Sequence, residues 1–241
     1  MKFVAVVIII QARMGSSRLP GKIMKKLNGK PIIQHILEFL KFTKTADKIV
    51  IATTTLPEDD IIESFSKKFS IDCFRGDPNN VLKRYYDCAK KFNADLVVRL
   101  TADNPLIDPN LVDELVSMCR NNRCDYTSNC LHITYPYGYS TCEVLTFSIL
   151  KYLCENKTDP QTIEHVTFFI RQNPHLFNVQ EIKAPSKLSR PNWRLSVDTE
   201  EDFQLMEKIF SHLYRLNHII KYETLVKFLD SNQDLLISKN N

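Results

Sequence analysis

A loop rich in charged and small residues lies near the start of the chain, directly after an apolar run. Residues 11–22 read Gln-Ala-Arg-Met-Gly-Ser-Ser-Arg-Leu-Pro-Gly-Lys. A triphosphate needs backbone N–H groups that approach its oxygens closely, and a glycine such as Gly15 permits that approach. It also needs cations that point at phosphate, which Arg13, Arg18 and Lys22 supply. The loop therefore predicts a phosphate site in which these three cations are catalytic.

The spacing of this loop differs from the two common phosphate-binding motifs. Five residues separate Gly15 from Gly21, and Lys22 is followed by isoleucine, so neither G-x-x-x-x-G-K-[ST] nor G-x-G-x-x-G is present. Dinucleotide redox chemistry and P-loop ATPase chemistry therefore lose support. A solvated basic loop is the plainer alternative, and the position after a strand argues against it.

Two acidic residues follow predicted strands. Asp103 comes after the strand at 94–101, and Asp198 comes after the one at 193–197. Magnesium bound to phosphates usually takes one or two protein carboxylates, so Asp103 is a candidate metal ligand, and Asp198 offers a second acidic site. Asp108 competes with Asp103, but its place before a proline suits a helix cap. Compensation of a helix dipole is the alternative role for Asp198.

The pattern along the chain predicts the scaffold that positions these residues. Strands are expected at 3–10, 48–54, 71–74, 94–101, 177–183 and 193–197, and helices at 31–42, 58–69, 80–92, 146–155 and 160–172, with two more capped by Asp108 and Thr199. Strand–helix alternation indicates an α/β fold with a mostly parallel sheet and helices on both faces. The loops after residues 10, 54, 75 and 101 should then line one site. We expect a single domain over 1–241, with a β-rich arm at about 125–147.

Composition narrows the partners. The net charge is +4 and no basic run stands out, which fits a small anionic ligand and disfavours nucleic acid. The apolar run at 3–10 is much shorter than the ~20 residues of a membrane span. The seven cysteines show no metal-ligand or disulfide spacing, so reduced thiols are expected. We expect a soluble, cytoplasmic protein.

Two segments carry a family resemblance. Residues 11–22 resemble the signature Q-A-R-x-x-S-x-R-L-P-G-K of the cytidylyltransferases that make CMP-activated acidic sugars, most closely the type of the spore-coat polysaccharide protein F. Residues 194–202 resemble the R-x-T/S-V-D-T-x-x-D segment of the same family. The resemblance implies a Rossmann-like, three-layer nucleotidyltransferase fold of the GT-A-like kind. It also implies a homodimer and Mg²⁺ on Asp103 and Asp198. The implied reaction moves CMP from CTP to a small acidic sugar or a phosphorylated acceptor.

Three further segments resemble the family more weakly. Residues 74–86 are similar to its base pocket, residues 135–144 to its acceptor side, and residues 164–167 to an E-H-V-T segment. Acceptor contacts are expected from Tyr137, Gly138, Glu143 and His165, although a histidine on such a helix is more often packed than catalytic. The expected nucleotide contacts are Gln11, Ala12, Arg13, Gly15, Ser16, Ser17, Arg18, Gly21, Lys22, Thr53, Thr54, Arg75, Gly76, Asp77, Thr101 and Ala102.

Two other functions stay open on the sequence. A glycosyltransferase with a nucleotide-sugar donor also uses a strand-end aspartate and a metal, but the basic loop favours a triphosphate. A non-catalytic nucleotide-binding scaffold is the second alternative, and the two aspartates argue against it. The tyrosines at 125–147 fit a dimer interface or a surface excursion that covers the site.

Overall fold

A seven-stranded sheet forms the centre of the protein, whose computed structural model describes residues 4–237. The strands are β1 (Val6–Gln11), β2 (Lys26–Leu27), β3 (Lys30–Pro31), β4 (Lys48–Thr54), β5 (Asp72–Gly76), β6 (Leu96–Thr101), β7 (Tyr126–Ser128), β8 (Glu143–Thr146) and β9 (Val179–Glu181). The sheet order is β5-β4-β1-β6-β8-β7-β9, and β2 pairs with β3 separately. Strands β5, β4, β1 and β6 are parallel, whereas β8 is antiparallel to β6 and β7.

Helices cover both faces of this sheet. They are α1 (Ile32–Leu40), α2 (Asp60–Lys68), α3 (Val81–Lys91), α4 (Pro109–Asn122), α5 (Phe147–Asn156), α6 (Pro160–His165), α7 (Phe168–Gln172), α8 (Glu200–Leu213), α9 (Tyr222–Asp230) and α10 (Asp234–Ile237). Successive strand residues point to opposite faces, so Ile8 packs in a core with α1, α4 and α8, and Ile9 packs in a core with α3 and α5. The predicted three-layer α/β arrangement is confirmed.

Several local predictions are confirmed. The Asp108 carboxylate accepts a hydrogen bond from the Asn110 amide at 3.0 Å and caps α4, and Thr199 caps α8 in a capping box. The strand expected at 3–10 begins at Val6, and Phe3 lies outside the described residues. All seven cysteines are free. Across residues 4–237, no helix is both long enough and apolar enough to cross a bilayer.

The single helix predicted at 160–172 is wrong. It is two helices, α6 and α7, separated at Val166, whose φ is 53° and ψ is −61°. The Thr167 amide donates to the His165 carbonyl across this γ-turn at 2.5 Å. A β-branched residue rarely adopts positive φ, so apolar spacing gives no sign of the break. Outside the helix, the Thr167 hydroxyl instead donates to Glu143 at 2.5 Å.

The strand predicted at 193–197 is also wrong. The segment makes only an isolated bridge, between Arg194 and Tyr137, and Ser196 lies at a bend. Its amides bond to loops instead: Leu195 donates to the Tyr137 carbonyl at 2.6 Å and Val197 to the Asp103 carbonyl at 2.9 Å. Leu195 and Val197 are fully buried, so the alternation that predicted a strand reflects core packing. The segment therefore lies across the loops at the edge of the sheet.

The segment at 125–147 contributes two short strands to the sheet. It supplies β7 and β8, and the residues between them fold over the carboxyl ends of the parallel strands. Tyr126 and Tyr139 are buried within this fold, whereas Tyr137 is 53% exposed. Two of the tyrosines on which the dimer prediction was based are thus used for packing inside the chain.

Candidate active site

A pocket opens at the carboxyl ends of β1 and β6, where this kind of sheet binds ligands. Its volume is about 440 Å³, and it is lined by the loops after β1 and β6, the segment between β7 and β8, both α6 and α7, and residues 196–198. The predicted site residues in its lining are Gln11, Ala12, Arg13, Ser16, Ser17, Arg18, Lys22, Thr101, Ala102, Asp103, Tyr137, Glu143, His165 and Asp198. The structure therefore brings most of the predicted site residues together in one pocket, although they come from distant parts of the sequence.

A buried carboxylate holds the predicted phosphate-binding loop in place. This loop, residues 11–22, is called the phosphate loop. Asp59 is fully buried; it accepts a hydrogen bond from the Met14 amide at 2.7 Å and another from the Thr54 hydroxyl. The Met14 carbonyl in turn accepts the Gly21 amide at 3.0 Å, and Gly21 has a φ of 67°, which favours glycine. Gly15 and Gly21 lie outside the pocket lining, so they shape the loop while its side chains face the cavity.

Lys22 joins the two predicted metal ligands. Its ammonium donates to Asp103 Oδ2 at 2.8 Å, to Asp198 Oδ1 at 2.9 Å and to the Val197 carbonyl at 2.8 Å. An ammonium has three donors, so all of them are used. Lys22 is 8% exposed, which makes these bonds stronger than similar bonds in water. The carboxylates of Asp103 and Asp198 thus converge on one point, which the Lys22 ammonium occupies.

Other cations surround the same carboxylates. Arg18 lies 3.0 Å from Asp198 Oδ1, and Arg194 bonds to Asp198 Oδ2. Burial alone would raise the pKa of the Asp198 carboxyl, but Lys22 and the two arginines outweigh it and hold that pKa below its usual value. Arg13 pairs with Glu164 of α6 at 3.4 Å, and both side chains are 43% exposed. Every cation of the loop's predicted catalytic set therefore has a carboxylate partner.

The two aspartates fit a magnesium ion that arrives with phosphates. Magnesium prefers oxygen ligands, commonly takes one or two carboxylates, and fills its other positions with water and phosphate oxygens. Asp103 and Asp198 offer two such carboxylates converging on one point, and residues 4–237 contain no cluster of three or more acidic, histidine or cysteine ligands. The donor set therefore suits magnesium better than a metal held entirely by protein.

A buried ion pair lies further into the pocket. Arg99 of β6 faces Glu143 of β8 in the sheet register and donates to Glu143 Oε2. Glu143 Oε1 accepts the Tyr126 hydroxyl at 2.6 Å and the Thr167 hydroxyl at 2.5 Å. Burial would raise the pKa of the Glu143 carboxyl, but Arg99 and Arg171 hold it below its usual value. Glu143 was predicted to bind the acceptor, and in this structure its oxygens bind neighbouring side chains.

The other predicted acceptor residues are Tyr137, Gly138 and His165. Tyr137 and His165 line the pocket, and the Tyr137 ring lies 4.7 Å from the Arg194 guanidinium carbon. Gly138 is outside the lining and has a φ of 88°. A side-chain carbon there would come 2.3 Å from the Ser196 amide nitrogen. Glycine at this position thus allows the segment between β7 and β8 to approach the chain next to Asp198.

The predicted nucleotide contacts at the carboxyl ends of β4 and β5 are not in the pocket lining. They are Thr53, Thr54, Arg75, Gly76 and Asp77. Arg75 donates to the carbonyls of Thr54 at 2.9 Å and Leu56 at 2.8 Å, and it pairs with Asp60 at 2.6 Å. These bonds hold the two loops together beside the pocket.

The structure adds three residues to which the sequence analysis gave no role. Asp59 anchors the phosphate loop, and Arg99 and Arg171 line the pocket. Arg99 had a detectable signal, because it is a charged residue in an otherwise apolar strand that is buried on both faces. Asp59 and Arg171 had none, since their roles depend on contacts between distant segments.

Comparison with known proteins identifies the family. The sequence profile of the cytidylyltransferases matches residues 7–236, and the chain belongs to this family of CTP-dependent nucleotidyltransferases. It is 32% identical over 234 residues to the spore coat polysaccharide biosynthesis protein SpsF of Bacillus subtilis, covering 95% of each chain. A cytidylyltransferase structure from Leptospira borgpetersenii matches with a TM-score of 0.89 and 34% identity, covering 97% of each chain.

A more distant structure supports the fold. CMP:2-keto-3-deoxy-manno-octonic acid synthetase, solved in complex with CTP, matches with a TM-score of 0.66 and 18% identity. The match covers 86% of this chain and 98% of that one. The predicted nucleotidyltransferase fold is confirmed.

Proposed function

We propose that the protein transfers CMP from CTP to a sugar-type acceptor and releases pyrophosphate, in the cytoplasm, during surface polysaccharide or glycan biosynthesis. One observation carries the proposal: Lys22 bridges Asp103 and Asp198 at the end of the loop at 11–22, which we predict to bind phosphates. Membership of the cytidylyltransferase family supports CTP over a nucleotide-sugar donor. The relatives named for spore-coat polysaccharide and for a CMP-sugar acid support the acceptor class.

The reaction asks the protein mainly for positioning and charge neutralisation. An acceptor hydroxyl oxygen bonds to the α-phosphorus of CTP, the bond to the β-phosphate oxygen breaks, and pyrophosphate leaves with that electron pair. The hydroxyl proton passes to solvent. Asp103 and Asp198 would hold Mg²⁺, which neutralises phosphate charge and polarises the attacked phosphorus when it is bound.

Loading the nucleotide requires the loop cations to change partners. Lys22 and Arg18 bond to carboxylates in the structure, and the phosphates need these same cations. When Lys22 turns to phosphate, Asp103 and Asp198 lose their shared counter-ion and become available to the metal. Arg13 would leave Glu164 in the same way. The nucleotide and the metal therefore help each other to bind.

Nucleotide calorimetry tests this function. We expect wild-type protein with Mg²⁺ to prefer CTP over UTP, ATP and GTP. Asp103→Ala should weaken CTP binding roughly tenfold or more in Mg²⁺, since one charged contact is worth about 1.5–3 kcal/mol. Asp72→Ala, which removes an exposed aspartate remote from the pocket, is the matched control. Equal affinity for the four nucleotides would refute CTP as the donor.

The homodimer is part of this proposal. With Tyr126 and Tyr139 buried, the exposed apolar groups of the segment between β7 and β8 are Ile133, at 60%, and Tyr137, at 53%. Apolar and aromatic groups of this kind are enriched at protein interfaces. Sedimentation velocity should give a dimer that Tyr137→Ser weakens, and a monomer at all concentrations would remove the dimer from the account.

A further inference from the structure

Each of the two carboxylates at Lys22 follows a hydroxyl residue by two positions. Thr101 precedes Asp103 and Ser196 precedes Asp198, with one residue between the members of each pair. The Thr101 hydroxyl donates to Asp103 Oδ1 at 2.7 Å, and the Ser196 hydroxyl donates to Asp198 Oδ2 at 3.2 Å. Both pairs line the pocket. Two distant segments therefore present a carboxylate to the same point in the same way.

The two oxygens of each carboxylate have different partners. Lys22 bonds to Asp103 Oδ2 and to Asp198 Oδ1, so in both residues the hydroxyl occupies the other oxygen. Arg194 adds a second donor at Asp198 Oδ2. When Lys22 and Arg18 turn to phosphate, each carboxylate gains one unbonded oxygen, while its other oxygen keeps the hydroxyl donor.

Asn104 fixes the direction in which the Thr101 hydroxyl donates. Asn104 is only 6% exposed, and its Nδ2 donates to Thr101 Oγ1 at 2.9 Å. An ionised carboxylate only accepts hydrogen bonds, so the single hydroxyl proton of Thr101 goes to Asp103, and the amide must be the donor. This orientation leaves Asn104 Oδ1 buried without a partner among residues 4–237. The reverse orientation would place a second acceptor at the Thr101 hydroxyl, in competition with Asp103.

Magnesium and calcium differ in what they take from a carboxylate. Calcium takes about six to eight oxygen ligands at about 2.3–2.6 Å and often binds both oxygens of one carboxylate. Magnesium requires near-octahedral geometry at about 2.0–2.1 Å and keeps several waters. A carboxylate that offers both oxygens therefore suits calcium, whereas a carboxylate that offers a single oxygen suits magnesium.

We propose that Thr101 and Ser196 restrict each aspartate to one metal-binding oxygen and thereby select Mg²⁺ over Ca²⁺. Asn104 is a positioning residue that acts through Thr101. Hydrogen bonds to metal ligands commonly set the orientation of those ligands in this way. The inference rests on the metal site of the proposed function and goes beyond it, because it names the groups that choose the ion.

Metal competition without nucleotide tests the selection. Lys22→Met is the parent protein, because no ammonium then lies between its aspartates, and bound Mn²⁺ is read by electron paramagnetic resonance. Mg²⁺ or Ca²⁺ is added to displace Mn²⁺, and the ratio of the two competition constants is the result. Thr101→Val in this parent keeps the side-chain shape and lacks the hydroxyl. It should move the ratio roughly tenfold towards Ca²⁺, because it removes a hydrogen bond to a charged group.

Four companion variants of the same parent sharpen the test. Thr101→Ser keeps the hydroxyl and should keep the parent's ratio. Asn104→Leu should move the ratio towards Ca²⁺ by a smaller factor than Thr101→Val. Ser196→Ala should also have a smaller effect, because Arg194 still bonds to the same Asp198 oxygen. Thr43→Val removes a hydroxyl just after α1, outside the pocket, and should change nothing.

The ratio separates selection from a structural role. A structural role would weaken the binding of both ions together, so an equal ratio with and without the Thr101 hydroxyl would overturn the proposal. If Thr101→Val does not fold, Asn104→Leu makes the same decision at the same carboxylate. Failure of the parent to bind Mn²⁺ would overturn the metal site and this inference together. Failure of the proposed function appears separately, as equal affinity of wild-type protein for the four nucleotides.

Discussion

The two ends of the pocket handle charge in different ways. At the phosphate-loop end, Arg13, Arg18 and Lys22 each bond to a carboxylate. At the other end, Arg171 makes no side-chain hydrogen bond or ion pair at contact distance among the described residues, and Arg99 bonds to Glu143, whose pKa both arginines lower. Where each cation is already paired with a carboxylate, a ligand binds only by taking over both partners. The ligands must therefore bring negative charge for the cations and positive charge for the carboxylates. An end with surplus positive charge binds an anion without breaking any bond.

This difference matches the ligands of the proposed reaction. A metal–nucleotide complex brings positive charge for the carboxylates and negative charge for the loop cations. The phosphate-loop end should therefore show strong linkage between metal and nucleotide, whereas the Arg99–Arg171 end should respond to a single anion.

The largest effect should come from removing the counter-ion at the Arg99 end. Glu143→Gln leaves Arg99 buried without its carboxylate, and breaking a buried pair in this way costs about 3–5 kcal/mol. Urea unfolding at neutral pH measures it. Glu155→Gln, at an exposed pair on α5, is the control and should change stability by less than ~1 kcal/mol. If Glu143→Gln also lost less than ~1 kcal/mol, the buried Arg99 would not need its carboxylate partner for stability.

Acidification should reduce the difference in the free energy of unfolding between wild type and Glu143→Gln. The pKa of Glu143 is lowered in the folded protein, so its ionised form stabilises the fold at pH values above its usual value of 4.5. This contribution is lost as the pH falls below 4.5 through the folded-state pKa. The stability gap between wild type and Glu143→Gln should therefore narrow in acid. A gap that stays constant down to the acid transition would contradict ionisation of Glu143 as its source.

The smallest effect should come from the exposed pair at the pocket mouth. Glu164→Gln frees Arg13 for phosphate without a bond to break. Exposed pairs are worth about 0.2–1 kcal/mol, so CTP affinity should rise by a factor of about 1.5 to 5. Calorimetry at low and high salt measures the rise, which salt should reduce. Weaker CTP binding in this variant would mean that Glu164 itself supports the nucleotide.

Local patterns predicted the scaffold and much of the site. The apolar run of β1, the Asp108 cap and the loop at 11–22 depend on neighbouring residues, and the structure has them as expected. The errors at 160–172 and 193–197 have a different origin. The turn at Val166 and the segment near Leu195 are fixed by bonds to distant residues, which a pattern of spacing does not contain.

The site shows the same limit. The types and positions of Lys22, Asp103 and Asp198 predicted their gathering at one edge of the sheet, but not that the lysine bonds to both carboxylates. That contact joins segments 81 and 176 residues apart from Lys22. The sequence also could not predict that the Nε atoms of Arg99 and Arg171 are buried without a hydrogen-bond partner among the described residues, because burial is a property of the folded chain.

The exchange of partners at Lys22 can be measured directly by manganese binding without nucleotide. Paramagnetic Mn²⁺ replaces Mg²⁺ as the probe, and electron paramagnetic resonance gives its affinity for wild type, Lys22→Met and the exposed control Lys26→Met. Circular dichroism checks that each variant is folded. We expect Lys22→Met to bind Mn²⁺ roughly tenfold or more tightly than the other two, because no ammonium then occupies the point between Asp103 and Asp198. Equal affinity in all three proteins would contradict the exchange.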